Sequence, residues 1–211
     1  RRAAKMRLGL DPESLVAVLT LTAYRDSGES EGVRIEQLQM AREGLSTAYQ
    51  LVIKPHPIES MTVLRRFVEE YARGATILDG TIPIDDLLNA ADLLLNRGVS
   101  QVCFEALLKA IPVVVLDVGD HTPFHDSAPG VVASDSRGVS EIVRGIEQSA
   151  DPMAPYRSIF DRHIPFASAR AKENTCERIS SIIDTHSAHR RTEQWLEFAL
   201  TYAWQVDRHV A

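Results

Sequence analysis

The sequence has little cysteine and no excess of positive charge, and each shortage excludes a class of protein. Only 2 cysteines occur among 211 residues, Cys103 and Cys176, and their spacing fits no zinc-binding motif. They indicate two reduced thiols of a cytoplasmic protein rather than a disulfide framework. The formal net charge of -6 argues against a general nucleic-acid-binding protein. Any site for an anion must therefore be local.

Long apolar runs are also missing. No stretch approaches the roughly 20 apolar residues of a membrane span, and the start does not resemble a signal peptide. We therefore expect no transmembrane segment and a cytoplasmic location, with the inner face of the membrane as an alternative place of action. The opening RRAAKMRLGLDPES indicates a linker or entry helix over residues 1–14, so we expect the chain to be a fragment.

Apolar runs that fit buried strands alternate with amphipathic segments that fit helices up to about residue 150. The predicted strands are 15–22, 51–54, 75–80, 92–96 and 112–118, with a short sixth at 130–134. The predicted helices between and after them are 33–48, 58–73, 84–91, 99–110 and 138–150. This alternation predicts an α/β fold with a doubly wound parallel sheet over residues 15–150.

The pattern changes to helices alone in residues 151–211. The predicted helical pieces are 155–163, 167–186 and 192–209. The last piece carries an aromatic stripe that includes Trp195 and Trp204, which we interpret as core packing. The alternative is a contact with a missing part of the protein or with a second copy in a homodimer.

A lysine and a histidine follow the second predicted strand in the sequence KPHP, residues 54–57. Ligands of open parallel sheets bind beyond the carboxyl ends of the strands, so this segment is a candidate for a site. Pro55 and Pro57 hold Lys54 and His56 in an extended conformation. A fixed histidine beside a lysine suits a phosphate or a developing negative charge. A solvated turn with a chance histidine is the alternative.

The segment NRGVSQVCFEAL closes the fourth predicted strand and opens a helix. Gly98 lets a ligand approach the backbone, and the N–H groups near Ser100 and Gln101 offer an anion site at the helix start. The alternative is a serine that caps its own helix. Glu105, one turn deeper, has two oxygens that suit a pair of ribose hydroxyls, unless it is an ordinary solvated glutamate.

Two further loops reach the same edge of the sheet. Thr22 ends the first predicted strand and is a candidate hydroxyl donor to a phosphate, or else an ordinary β-branched residue. The long loop after the fifth strand contains Gly119, Asp120 and His121, which we expect to contact a sugar. The histidines of this loop lack a metal-binding spacing, so we predict no metal site.

Taken in order, the segments TLT, KPHP, IPIDDLLNAAD, SQVCFEAL and IPVVVLDVG resemble the C-terminal, donor-binding half of GT-B glycosyltransferases. The spacing from Ser100 through Glu105 to Pro112 is similar to that of CDP-glycerol glycerophosphotransferases. The resemblance covers residues 15–150. It implies a Rossmann-like domain that binds a UDP- or CDP-linked sugar or polyol donor without a cofactor, in the biosynthesis of cell-surface polysaccharides or glycoconjugates.

The resemblance also implies a role for each candidate residue. His56, with Lys54, would meet the donor phosphates and stabilise the leaving group. The backbone around Thr81 to Ile84, with Thr81 and Ile82 as the contact residues, would pair with the pyrimidine edge. Ser100 and Gln101 would hold the diphosphate, and Glu105 would bind the ribose.

The catalytic base remains unassigned, because GT-B enzymes usually take it from an N-terminal acceptor domain. We therefore expect this chain to bind donor without turning it over alone. An enzyme similar to UDP-N-acetylglucosamine 2-epimerase is an alternative, although residues 101–103 lack the Gly-Gly-rich loop of those enzymes. A non-catalytic anion-binding module of flavodoxin-like shape is another. One further departure is Ala110, which stands where many relatives have glycine before the Ile-Pro step.

Overall fold

Six parallel strands form one sheet in the part of the chain that the computed structural model describes, residues 1–22, 30–118 and 128–159. The strands are β1 Leu15–Thr20, β2 Tyr49–Lys54, β3 Thr76–Ile77, β4 Leu93–Arg97, β5 Val113–Leu116 and β6 Val132–Ala133. Their spatial order is β3-β2-β1-β4-β5-β6, and every neighbouring pair is parallel. This order is that of the doubly wound Rossmann fold, so the predicted fold class is confirmed.

Helices connect the strands or follow them. They are α1 Arg2–Arg7, α2 Glu31–Gly44, α3 Met61–Tyr71, α4 Ile84–Leu88, α5 Gln101–Leu108 and α6 Ser136–Gln148, with 3-10 turns at Pro129–Val131 and Ala154–Tyr156. Two helices begin earlier than predicted because polar residues cap them. Ser30 accepts the Val33 N–H at the start of α2, and Asp135 accepts the Gly138 N–H at the start of α6. All the described residues lie within one compact unit, Arg1–Asp161.

The sheet has two different faces because side chains alternate along each strand. One face packs against α2, α3 and α6 in the main apolar cluster, to which Leu19, Ile53 and Leu95 contribute. The residues next to them in sequence, Thr20, Lys54 and Asn96, have the opposite orientation. The carboxyl end of that second face therefore carries three polar side chains.

A buried ion pair attaches α1 to the amino edge of the sheet. Lys5 Nζ donates to Asp92 Oδ2 at 2.7 Å and to the Ser14 carbonyl at 2.8 Å. Asp92 Oδ2 also accepts the Val16 N–H at 2.9 Å. The predicted entry helix thus packs on the starts of β1 and β4, and no helix among the described residues is long and apolar enough to cross a membrane.

The segment after α6 is anchored on β5 by one tyrosine. Tyr156 is fully buried, and its hydroxyl accepts the Val113 N–H at 2.9 Å and donates to the Val113 carbonyl at 2.8 Å. The predicted helices at 167–186 and 192–209, with the aromatic stripe, lie outside the described residues. The proposed boundary between residues 150 and 151 stays a prediction.

Candidate functional site

The carboxyl ends of β2, β1 and β4 lie side by side and bring the predicted segments together. Thr20 is in register with Lys54 on one side and with Asn96 on the other. Adjacent strands are about 4.8 Å apart, so the backbones of the outer two residues are about 10 Å apart. The strand order reverses between β1 and β4, which is where doubly wound sheets bind ligands. The KPHP segment and the start of α5 therefore lie on either side of this point, which we call the crevice.

The start of α5 carries no side-chain cap in the described part of the chain. Ser100 is the N-cap residue, with an extended backbone, but its hydroxyl makes no capping hydrogen bond. That hydroxyl lies 4.0 Å from Cys103 Sγ. Ser100 therefore does not cap its own helix with its side chain, which was the alternative interpretation. Helix N–H groups without a side-chain cap are suited to a bound anion.

Gln101 and Glu105 lie one turn apart on the same side of α5. Gln101 Nε2 donates to Glu105 Oε1 at 2.9 Å, and Glu105 is half-buried. This hydrogen bond orients the carboxylate, whose second oxygen is a further acceptor. Glu105 thus lies about one turn beyond Ser100, and its contact with a ribose stays a prediction.

A buried asparagine links β1 to the loop before α5. Asn96 is 6% exposed, and its Oδ1 accepts a hydrogen bond from the Thr20 hydroxyl. Its Nδ2 donates to the carbonyls of Arg97 at 2.9 Å and Gly98 at 3.2 Å. The sequence marked Asn96 only as the end of a strand, and it gave no signal for this network.

Lys54 joins the loops that follow β2 and β3. Its ammonium donates to the Gly80 carbonyl and, at 3.3 Å, to that of Pro55. Burial lowers the pKa of Lys54, and the nearby carboxylate of Asp79 acts in the opposite direction. The ammonium is thus engaged with backbone in this structure, and its contact with a donor phosphate stays a prediction.

His56 has an exposed side chain in the loop that follows β2. Its Nδ1 lies 3.5 Å from the Ile58 N–H, which donates to it, and its carbonyl accepts the Glu59 N–H at 2.9 Å. In a neutral ring with Nδ1 as acceptor, the proton is on Nε2, which can donate to an anion. A Cβ on Gly80 would lie 3.2 Å from Pro57 Cα, so the two loops are in close contact.

Thr81 and Ile82 form a turn around Asp79. Asp79 Oδ1 accepts from both the Thr81 hydroxyl and the Thr81 N–H at 2.7 Å. These two bonds, with Lys54 nearby, hold the pKa of Asp79 below its usual value. The Ile82 N–H donates to the Asp79 carbonyl at 3.2 Å. Both N–H groups serve the turn, so pairing of this backbone with a base stays a prediction.

Sequence reasoning missed a buried arginine behind the crevice. Arg34 Nη2 donates to the carbonyl of Thr22 at 2.7 Å and lies 3.5 Å from Glu59 Oε2. The available signal was position, since Arg34 falls on the same stripe of its helix as the buried residues Leu38 and Ala41. A charge on an apolar stripe requires a partner.

The remaining predicted contacts lie elsewhere or outside the described residues. Thr22 is exposed, two residues beyond the end of β1. Gly119, Asp120 and His121 lie outside the described residues, so the predicted sugar contacts stay predictions. In residues 1–22, 30–118 and 128–159, no group of His, Cys, Asp or Glu side chains is arranged to hold a metal ion.

Comparisons with known proteins find similarity in structure. Neither a protein-family model nor a curated protein sequence matches the chain. The wall teichoic acid polymerase TagF matches with a TM-score of 0.54 over 89% of this chain, at 15% sequence identity. The chain therefore shares its Rossmann-like fold with about half of TagF, a structural neighbour of the GT-B type.

Other solved structures share this fold. The S. aureus MnaA complex with UDP matches with a TM-score of 0.53 over 86% of the chain, at 13% identity. The spinosyn rhamnosyltransferase SpnG matches with a TM-score of 0.51 over 70%, at 16% identity. The chain spans 48% of TagF, 48% of MnaA and 40% of SpnG. It thus corresponds to about half the length of these proteins or less.

Proposed function

We propose that the chain is the donor-binding half of a glycosyltransferase, or of a transferase for a polyol phosphate, and that it binds a UDP- or CDP-linked donor. The observation that carries this proposal is the start of α5. At the point where the strand order reverses, this helix begins without a side-chain cap and presents the Gln101–Glu105 pair one turn in. A nucleoside diphosphate has a charged group for the helix start and a ribose for the carboxylate.

The proposed chemistry is electrostatic. When the bond between the transferred group and the diphosphate breaks, negative charge develops on the leaving diphosphate. The N–H groups at the start of α5, beside Ser100 and Gln101, and the Nε2–H of His56 stabilise that charge. Removal of one such donor typically costs about 3 kcal/mol in the barrier.

A second domain completes the proposed enzyme. The chain spans 48% of TagF, and we propose that an N-terminal domain of the same protein binds the acceptor and supplies the general base. The chain alone then binds the donor but does not transfer it. A cytoplasmic site of action is part of the proposal, and the buried free thiol of Cys103 agrees with it.

The test is calorimetric titration of the chain with UDP, CDP, GDP and ADP. We expect one or both pyrimidine nucleotides to bind more tightly than the purine nucleotides. Glu105→Ala and His56→Ala should each weaken that binding by about tenfold or more, since each removes a hydrogen bond to the nucleotide.

The matched control for Glu105→Ala is Glu141→Ala, on the other face of the sheet. Glu141 pairs only with the exposed Arg137 in the described contacts, so its loss should leave the affinity unchanged. Equal affinity for all four nucleotides, or unaltered binding in both site variants, would instead favour a non-catalytic anion-binding module. Pyrimidine-selective binding combined with epimerisation of a UDP-sugar would favour the epimerase alternative.

A further inference from the structure

We propose that Asn96 is a positioning residue, which together with Thr20 sets the loop that presents the start of α5 to the donor diphosphate. The inference rests on the proposed function and adds residues that contact the loop, not the donor. The loop is short: Arg97 ends β4, Gly98 has a φ of 59°, and Ser100 precedes α5. A change in the turn at Gly98 would therefore re-aim the helix start directly.

The side-chain amide of Asn96 contacts both β1 and this loop. Its Nδ2 donates to the carbonyls of Arg97 and Gly98, and its Oδ1 accepts from Thr20. A flipped amide would place its oxygen against two carbonyl oxygens, so the Thr20 hydroxyl and the carbonyls together specify one orientation. At 6% exposure, water does not compete freely for these bonds.

The amide also fixes the direction of a neighbouring N–H group. A trans peptide is planar, and its C=O and N–H point in opposite directions. Because the Gly98 carbonyl points to Asn96, the Val99 N–H of the same peptide points away from Asn96. The Gly98 N–H is held separately, since it donates to the Leu116 carbonyl at 3.2 Å. Asn96 thereby orients the Arg97–Gly98 and Gly98–Val99 peptides, which lead to Ser100.

Aspartate has nearly the same shape as asparagine, but it would repel the two carbonyl oxygens that the Asn96 amide attracts. The carboxylate that Asn96→Asp introduces would face two carbonyl oxygens and could donate to neither of them. The Gly98 carbonyl would keep only the weak contact from Cys103 Sγ at 3.9 Å among the described contacts. The Thr20 hydroxyl could still donate to this carboxylate. We therefore expect Asn96→Asp to open the turn at Gly98 while leaving the bond to β1 in place.

The experiment compares ligands with and without a diphosphate. Asn96→Asp and Thr20→Val are titrated with UDP and CDP by calorimetry, and with uridine and cytidine by NMR. We expect about tenfold weaker binding of the diphosphates in both variants, while the nucleosides change by less than about twofold. Thr20→Ser keeps the hydroxyl and should restore most of the affinity. Asn89→Asp, an exposed amide at the end of α4, is the matched control and should bind like the wild type.

Several results would decide against the inference. Thermal unfolding identifies the variants that are folded, and Thr20→Val provides a second test where Asn96→Asp does not fold. Equal loss for nucleosides and diphosphates, or unaltered diphosphate affinity in a folded variant, would overturn the positioning role alone. A wild-type chain that binds neither UDP nor CDP would contradict the proposed function, and the positioning role with it.

Discussion

Arg34 and Glu59 form an ion pair with 3.5 Å between Arg34 Nη2 and Glu59 Oε2, and their side chains are only 1% and 4% exposed. The pair joins two loops at the carboxyl edge of the sheet. Arg34 donates to the carbonyl of Thr22, which follows β1. The backbone N–H of Glu59 donates to the carbonyl of His56, which follows β2. Buried charge thus contributes to the arrangement of both loops.

Loss of one partner of this pair should be costly. Arg34→Met removes the cation that faces the buried Glu59 carboxylate, and we expect the free energy of unfolding to fall by about 3 kcal/mol. The double variant Arg34→Met/Glu59→Met removes both charges and should recover a large part of that loss. Urea unfolding measures the free energy of unfolding of the single and the double variant. As a control, Arg137→Met breaks an exposed pair and should cost less than about 0.5 kcal/mol. A double variant less stable than the single one would refute this prediction.

Replacement of Ala110 by glycine should stabilise the folded protein. Its φ is 53°, and among the described residues it is the only non-glycine residue with a positive φ. A Cβ is unfavourable in that conformation. We expect Ala110→Gly to raise the free energy of unfolding by about 0.5 to 1 kcal/mol, after the extra entropy of glycine in the unfolded chain is deducted. Ala3→Gly, at an exposed position in α1, should have the opposite sign. Destabilisation by Ala110→Gly would show that the backbone conformation at this position is different.

Two glycines in helices should respond in opposite directions to alanine. A Cβ on Gly44 in α2 would lie 2.5 Å from Val139 Cβ and 2.8 Å from the Ser136 carbonyl oxygen, whereas a Cβ on Gly145 in α6 would meet nothing within 4 Å. We expect Gly44→Ala to lower the midpoint of thermal unfolding, at a cost of about 1 to 3 kcal/mol. Gly145→Ala should raise the midpoint, because the free energy of unfolding should increase by up to about 1 kcal/mol. A higher midpoint for Gly44→Ala as well would mean that α2 and α6 are farther apart than this structure has them.

Tyr156 should make the protein sensitive to alkaline pH. Burial raises the pKa of its hydroxyl above the usual value of 10.0, which means that the folded state keeps the proton where the unfolded state loses it. Stability from this group is therefore complete below about pH 10 and declines as the pH rises above that value.

Tyr156→Phe separates this effect from that of other groups. It leaves the Val113 N–H and carbonyl without their partner, so it should cost about 1 to 3 kcal/mol at neutral pH. Between about pH 9 and 11, its unfolding free energy should depend less on pH than that of the wild type. Parallel pH profiles of the two proteins, measured by urea unfolding, would contradict the assignment.

The sequence predicted the order of elements because strong local patterns determine it. A run such as LVAVLT suits a strand covered on both faces, and the structure has Val16 to Leu19 fully buried in β1. Helix ends were less accurate, since one capping side chain such as Ser30 decides where α2 begins. The strand order was not deduced, because it depends on contacts between residues far apart in the chain.

The shared edge of the candidate residues was predictable, but their contacts were not. A parallel sheet brings the carboxyl ends of its strands to one edge, which is why KPHP and the segment around Ser100 became candidates. The partners of these residues are remote in sequence: Lys54 binds the carbonyl of Gly80, and Asn96 binds Thr20. No local pattern encodes such pairs.

The most direct measurement is a structure of the chain with bound UDP or CDP, whichever binds more tightly, and the distance from the diphosphate oxygens to the N–H groups that open α5. We expect at least one oxygen within about 3.2 Å of the backbone nitrogen of Gln101 or Val102, with the ribose hydroxyls facing Glu105. A nucleotide bound at the amino edge beside α1, or with its diphosphate away from α5, would contradict the assignment of this crevice.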